Sequence, residues 1–361
     1  MIKFSIYLFN KKNYIYNNKM NSTKYAKFIP PKLEFKGDLT KLQVKNKISF
    51  GDAFISRLMM FKGYIILNVN NGIAFYEKET YTKIFQEDFT TDDILSIKKL
   101  DDDTLLIAAF DKTRIIRFEE KEPKKISYEL IQEITDTDFY YIGELLSNGL
   151  LLLAGGDQKY VFYQLENFVS DRRISKNNLF KKIGEIEKVH NVYNDDFARV
   201  IDLNSGYLFS MMNDDKNIKI IQYEGDFKII KNIDGYQLHD ACLISDKYVV
   251  LKGLTHPKYY TWLFDVEKLE VVKKWETPEN DGFALCISEN KFFTGSTLSL
   301  AISVIEENNG NLELKDIYRV KYADVKDEYD FEKQFIDILL LNENSFIGCS
   351  YNSLLAVIDC I

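Results

Sequence analysis

Apolar and polar positions alternate along most of this chain in short runs, and the runs recur in a fixed order. Seven times a polar turn leads into a strongly apolar segment, a second turn and another apolar segment, as in Lys62-Gly63, Tyr64–Val69 and Gly72–Tyr76. The first apolar segments start at residues 64, 104, 150, 207, 248, 291 and 345, so the spacings are 40, 46, 57, 41, 43 and 54. A four-stranded propeller blade repeats every 40 to 45 residues or so. The pattern therefore predicts seven blades with two insertions. An apolar stretch such as Ile94–Leu100 or Phe335–Leu341 precedes each first turn and predicts an inner strand. A more polar alternating segment such as Lys125–Ile134 or Leu269–Trp275 follows the second apolar strand and predicts a solvent-facing outer strand.

The seventh copy has no such outer segment before Ile361, and the missing piece stands at the other terminus. Leu39–Ile48 has the outer-strand pattern and precedes the first predicted inner strand, Phe54–Met60. Pairing it with Leu354–Asp359 closes the ring and leaves no open sheet edge between blades. The expected fold is an all-β, seven-bladed β-propeller over residues 37–361, closed by an N-terminal outer strand on the C-terminal blade. A helical solenoid would need 3.6-residue periodicity over long windows, which is absent outside the insertions. A pair of β-sandwiches would not produce complementary deficits at the two termini.

Charge divides the chain in two. Residues 1–36 carry eight lysines and one acid, Glu34, for +7, while the whole chain is −8, which leaves −15 on residues 37–361. An acidic body repels nucleic-acid phosphates and anionic membranes, so neither is expected as a partner. The lysine- and asparagine-rich segment 1–36 is expected to be a flexible extension, a targeting segment, or the product of an upstream start with Met20 as the true first residue. Four cysteines, Cys242, Cys286, Cys349 and Cys360, stand far apart without a disulfide framework, and one sequon occurs, at Asn21. A reducing, cytoplasmic compartment is expected. No apolar run reaches the roughly 18 residues of a membrane span.

The repeats resemble degenerate WD40 units. Trp262-Leu263-Phe264-Asp265 and Ala356-Val357-Ile358-Asp359 stand where that family ends its third strand with Trp-Asp. Leu146-Ser147-Asn148-Gly149-Leu150, followed by Ala154-Gly155-Gly156-Asp157, matches its second-strand region. The resemblance spans residues 39–361 and implies a propeller that works as an interaction scaffold. No Trp-Asp dipeptide and no Gly-His pair is present, so the family's structural hydrogen-bond network is not carried over.

Catalytic chemistry finds little footing. Only His190, His239 and His256 could serve as a histidine base, and no Gly-x-Ser-x-Gly elbow accompanies them. His239 and Cys242 have a His-x-x-Cys spacing without a second ligand pair, so no metal is expected. Cys242 and Cys286 occupy equivalent inner-strand positions and read as buried apolar cysteines. Gly155-Gly156-Asp157 lies between strands and reads as a hairpin turn, not a phosphate loop. Asp101-Asp102-Asp103 lacks calcium-loop spacing. No cofactor is expected. An enzyme would need Arg57, Glu144, Arg199 and Asp337 to converge on the central channel, and these would equally serve as structural ion pairs.

Two charge constellations point to binding instead. The segments joining each outer strand to the next inner strand, 50–52, 88–93, 135–138, 191–196, 234–237, 276–281 and 323–333, hold 17 acids against two lysines, Lys326 and Lys333. Asp92, Asp93, Asp136, Asp138, Asp195, Asp196, Glu279, Asp281, Asp324, Asp327, Glu328 and Asp330 are the candidate binding residues of this face, and Glu332 belongs to the same insertion. Such a face focuses negative potential and suits a protein partner with a basic segment. The opposite face carries the insertion after Leu165, with Arg172, Arg173 and Lys176 as a second, basic candidate. Its Asp171-Arg172-Arg173-Ile174 is similar to the Phe-Arg-Arg-Gly motif of phosphoinositide-binding propellers but lacks both the Phe and the Gly. The expected function is a non-enzymatic scaffold, with a channel enzyme or a phosphoinositide binder as alternatives.

Overall fold

Branched and aromatic side chains pack well on a pleated surface, and the Gly, Asn and Asp between them supply tight turns, so this alternation folds as antiparallel hairpins. In the first of them Lys62 and Gly63 both take positive φ, 53° and 83°, the twist that a two-residue hairpin turn requires. The computed structural model describes residues 33, 35–49, 58–109, 111–135, 140–155, 159–168, 173–187, 189, 199–203, 206–211, 216–255, 257–277, 281–296, 299–321, 335–350 and 354–360.

Among these residues the strands form seven four-stranded antiparallel sheets. Six are consecutive meanders, from Leu58–Phe61 to Lys83–Asp88, Ile94–Lys99 to Lys125–Ile134, Tyr140–Leu145 to Phe180–Ile186, Arg199–Asp202 to Lys228–Asp234, Gln237–Leu243 to Glu270–Thr277, and Asp281–Ser288 to Asn311–Lys321. The seventh takes Phe335–Asn342, Ser345–Ser350 and Leu354–Cys360 from the end of the chain and Leu42–Ser49 from its beginning. Leu42 stands opposite Cys360 and Ser49 opposite Leu354. The sequence-predicted closure is therefore the one observed. Its strand starts three residues later than predicted, because Asp38 accepts the Thr40 N–H at 2.9 Å and opens a 3-10 turn over Leu39–Lys41 that buries Leu39. Phe35 and Lys36 also join the body, ahead of the 36/37 boundary. Lys36 N and Gly37 N both donate to Glu343 O, at 2.6 and 3.1 Å.

The buried apolar residues fall into seven clusters, one in each gap between neighbouring blades. Odd and even positions of one strand serve different gaps. Ile65 and Leu67 pack toward the last blade and Ile66 toward the second. This division explains why second and third strands are apolar throughout, as in the fully buried Thr104–Ala109: they have no solvent face.

One regularity escaped the sequence pattern. All seven outer strands carry a β-bulge at the same place in their pairing with the third strand. The residues left unpaired are Ile84, Ile131, Ile183, Ile230, Val272, Ile317 and, in the closing strand, Lys45. A bulge inserts one residue, bends the strand and reverses the alternation beyond it. Five inner strands bulge near their starts as well, at Leu95, Tyr141, His239, Gly282 and Ile336. In the fifth blade that bulge brings the Gln237 carbonyl onto Gly253, where a Cβ would fall 2.1 Å from the oxygen. Gly253→Ala must move backbone, so its denaturation midpoint is expected to fall by an amount worth about 2 kcal/mol or more. An unchanged midpoint in urea would contradict this account of the bulge.

Candidate interaction face and channel

One tier near the start of the inner strand, which follows the bulge in the five blades that have one, carries three charged residues. Arg199, Asp240 and Asp337 hold this position in blades 4, 5 and 7, by their pairing opposite Met211, Lys252 and Cys349. Asp240 Oδ1 accepts Arg199 Nε at 2.5 Å, and its Oδ2 accepts the Ala284 N–H of blade 6 at 2.8 Å. Asp337 repeats the second contact, with Oδ2 accepting the Leu58 N–H of blade 1 at 3.0 Å. Glu144 binds Lys98 of blade 2, with nitrogen and oxygen 2.6 Å apart. Glu144, Arg199 and Asp337 thus each bond across a blade seam, and Arg57 lies outside the described residues. Sequence reasoning missed Asp240, the most highly connected of these groups, because its role depends on the bulge beside it.

The remaining candidate chemistry is muted. Burial raises the Cys242 thiol well above its ordinary value and pushes Cys286 up to about 12, so neither is a ready thiolate at neutral pH. His239 is the extra residue of its bulge, while His190 and His256 lie outside the described residues. No group of three or more His, Cys, Asp or Glu among the described residues could hold a metal ion.

Every outer strand hands over to the next inner strand on one face, called the upper face here, which it shares with the turns between second and third strands. Between blades 1 and 2 the loop is well anchored. Phe89 N and Thr90 N donate to Asn71 O at 3.0 and 3.3 Å, and Asn71 Nδ2 returns a bond to Thr90 O at 3.2 Å. Phe89 packs edge-on against Tyr128, with ring centroids 4.9 Å apart. Asp92 and Asp93 are left exposed on that rigid base, without an ion-pair partner among the described residues. Asp136, Asp138, Asp195, Asp196, Glu279, Asp324, Asp327, Glu328 and Asp330 lie outside the described residues, as does the side chain of Asp281. The second-to-third turns supply counter-charge: Lys112 pairs with Glu133 at 2.9 Å and Lys258 with Glu276 at 2.7 Å. Burial acts to raise the Asp111 carboxyl, but the Arg114 hydrogen bond and charge outweigh it and hold the group below its usual range.

On the lower face the insertion after Leu165 folds back on blade 2. Lys176 pairs with Glu129 at 2.7 Å, and Arg117 donates to Ile174 O. Lys176 is chiefly responsible for holding the Glu129 carboxyl below its ordinary value. Arg173 O accepts from the nearly buried Asn178 at 3.0 Å; Arg172 lies outside the described residues. The two aspartates that end third strands make local bonds. Asp265 accepts the Glu267 and Lys268 N–H groups at 3.0 and 2.9 Å, and Asp359 accepts Ser345 Oγ at 2.6 Å.

An open groove of ≈ 470 Å³ also lies between blades 4 and 5, lined in part by Asp234, Tyr236, Trp262 and Lys274. Its residues come from the end of the blade 4 outer strand, the loop after it and three strands of blade 5, and the signal that could have found it is the cross-strand pair Trp262 and Lys274.

No protein-family model matches the chain, and no curated protein matches it in sequence. Among solved structures it is similar to the Neurospora crassa Pan2 WD40 domain, with a TM-score of 0.62 at 10% identity over 90% of this chain and 97% of that one. This likeness shows the fold, a WD40-like seven-bladed β-propeller. No helix among the described residues is long and apolar enough to cross a membrane.

Proposed function

We propose that this propeller is a non-enzymatic interaction scaffold whose upper face docks a protein partner through a basic segment. The carrying observation is where the charge sits. The outer-to-inner segments alone hold the 17 acids and two lysines, whereas the rest of residues 37–361 balances at 37 acidic and 37 basic side chains. The net −15 of the body is thus assigned to one set of loops. The sequence between second and third strands is close to neutral as a group, with Asp111, Asp157, Asp214 and Asp215 against Lys112, Lys159 and Lys216, and with Lys258 opening the third strand of blade 5. Aspartate suits turns everywhere, but that preference applies equally to the lower face, which shows no such excess. The cross-seam bonding of Glu144, Arg199 and Asp337 favours this reading over a channel enzyme.

A labelled octalysine peptide tests it by fluorescence anisotropy at several salt concentrations. Replacing Asp92, Asp93, Asp324, Asp327, Asp330 and Glu328 with their amides is expected to weaken binding by about tenfold at low ionic strength and to flatten its salt dependence. Equal affinity and slope for the two proteins would exclude the upper face as the docking surface.

A further inference from the structure

The groove between blades 4 and 5 combines three features that suit a planar cation. Tyr236, Tyr260 and Trp262 form an aromatic cluster, with Trp262 centred 5.5 Å from each of the two tyrosine rings. Lys274, opposite Trp262 across the hairpin, holds its ammonium 3.6 Å above the Tyr260 centroid and 5.8 Å from Trp262. Asp234 is exposed at the rim with no ion-pair partner among the described residues, and its loop belongs to the acidic upper face. The ring cluster therefore already binds a positive charge, one supplied by its own chain.

We infer that this groove is a self-capped cation site that receives the guanidinium of an arginine in the docked basic segment, displacing Lys274. The inference rests on the proposed function and identifies the anchor within that face. An ammonium on an exposed strand gains modestly from an aromatic face, so it is displaceable. A guanidinium stacks on the rings as a plane and offers a fork of donors to a carboxylate, which an ammonium cannot do. Tyr236 supplies the open edge of the cluster, and Asp234 supplies the acceptor.

The neighbouring Lys273 provides the control. It also lines the groove and carries the same charge one residue away, but its ammonium is turned to Asn311 Oδ1 of blade 6 at 3.2 Å. The full chain, labelled with nitrogen-15, is titrated with N-acetyl-arginine amide and, separately, with the uncharged N-acetyl-citrulline amide. The two indole N–H resonances are followed. Trp262 is expected to shift with arginine and not with citrulline, while Trp275, which faces blade 6, stays in place. Lys274→Ala is expected to bind arginine amide about threefold more tightly than Lys273→Ala, and Asp234→Asn about threefold more weakly than the parent. Equal affinities for the two lysine variants, or an unmoved Trp262 resonance, would overturn the inference. The small probe does not depend on the rest of the face, so this failure differs from loss of the octalysine salt dependence, which would overturn the docking face itself.

Discussion

Asp240→Ala is expected to lower the unfolding free energy by about 3–5 kcal/mol, among the largest effects of any single substitution in this protein. The side chain is 4% exposed, and its two oxygens bond to two other blades. Removing it leaves Arg199 without its 2.5 Å partner and the Ala284 N–H without its 2.8 Å acceptor. Unpairing a buried charge costs far more than the pair contributes against an apolar substitute, because the desolvation already incurred is no longer offset. Two further variants separate the contributions. Asp240→Asn keeps an acceptor for Ala284 and should lose roughly half as much, while Arg199→Met in the Asp240→Ala background should recover part of the loss. Urea unfolding of these proteins together with Arg199→Met alone gives the cycle. If Asp240→Ala lost no more than a typical surface substitution, within about 0.5 kcal/mol, the seam bonds would not hold blades 4, 5 and 6 together.

The sequence made the blades legible because a residue buried between blades must be apolar whichever way it points. The run Leu105 to Ala109 serves the gaps on both its sides, so the signal survives small errors in register. Turn residues fixed the remaining boundaries. Six of the seven second strands start at the predicted residue, and the third starts one later, at Leu151. The bulges were illegible for the opposite reason. Outer strands are half exposed, and their alternation reverses at the extra residue, so Ile183, 44% exposed, reads as an irregularity within a polar strand. Once the seven registers are aligned it becomes one of six β-branched residues at a shared position. The same logic separates the two parts of the site. Acid excess in the outer-to-inner loops is a property of composition and survives without coordinates. The ion pair Arg199–Asp240 depends on Asp240 following a bulge, the pair Glu144–Lys98 on two inner strands meeting across a seam, and the aromatic groove on residues brought together from two blades.

Ring closure gives the last prediction its size. Phe35 lies outside the closing strand, yet it is fully buried between blades 6 and 7, edge-on to Phe293 at 5.0 Å and to Phe346 at 6.1 Å. Lys291 Nζ donates to its carbonyl at 3.2 Å, and the turn that follows buries Leu39 in the same cluster. The closing strand itself is poorly suited to hold alone, since the burial pattern of Leu42–Ser49 contains no buried residue. Phe35 therefore acts as the apolar anchor of a strand whose own side chains contribute little. Phe35→Ala is expected to cost about 3–5 kcal/mol, and the loss should appear first at the seam. Hydrogen exchange should quicken in Leu42–Ser49 and Leu354–Cys360 before it does in blades 3 and 4, because opening the seam exposes one unpaired edge without unfolding the other sheets. Phe209→Ala, an equally buried truncation in blade 4, is the comparison. It should lower overall stability to a similar degree without selective exchange at the seam. Identical exchange maps for the two variants would mean that closure does not depend on Phe35, and that the paired backbone of the outer strand is sufficient to hold the ring.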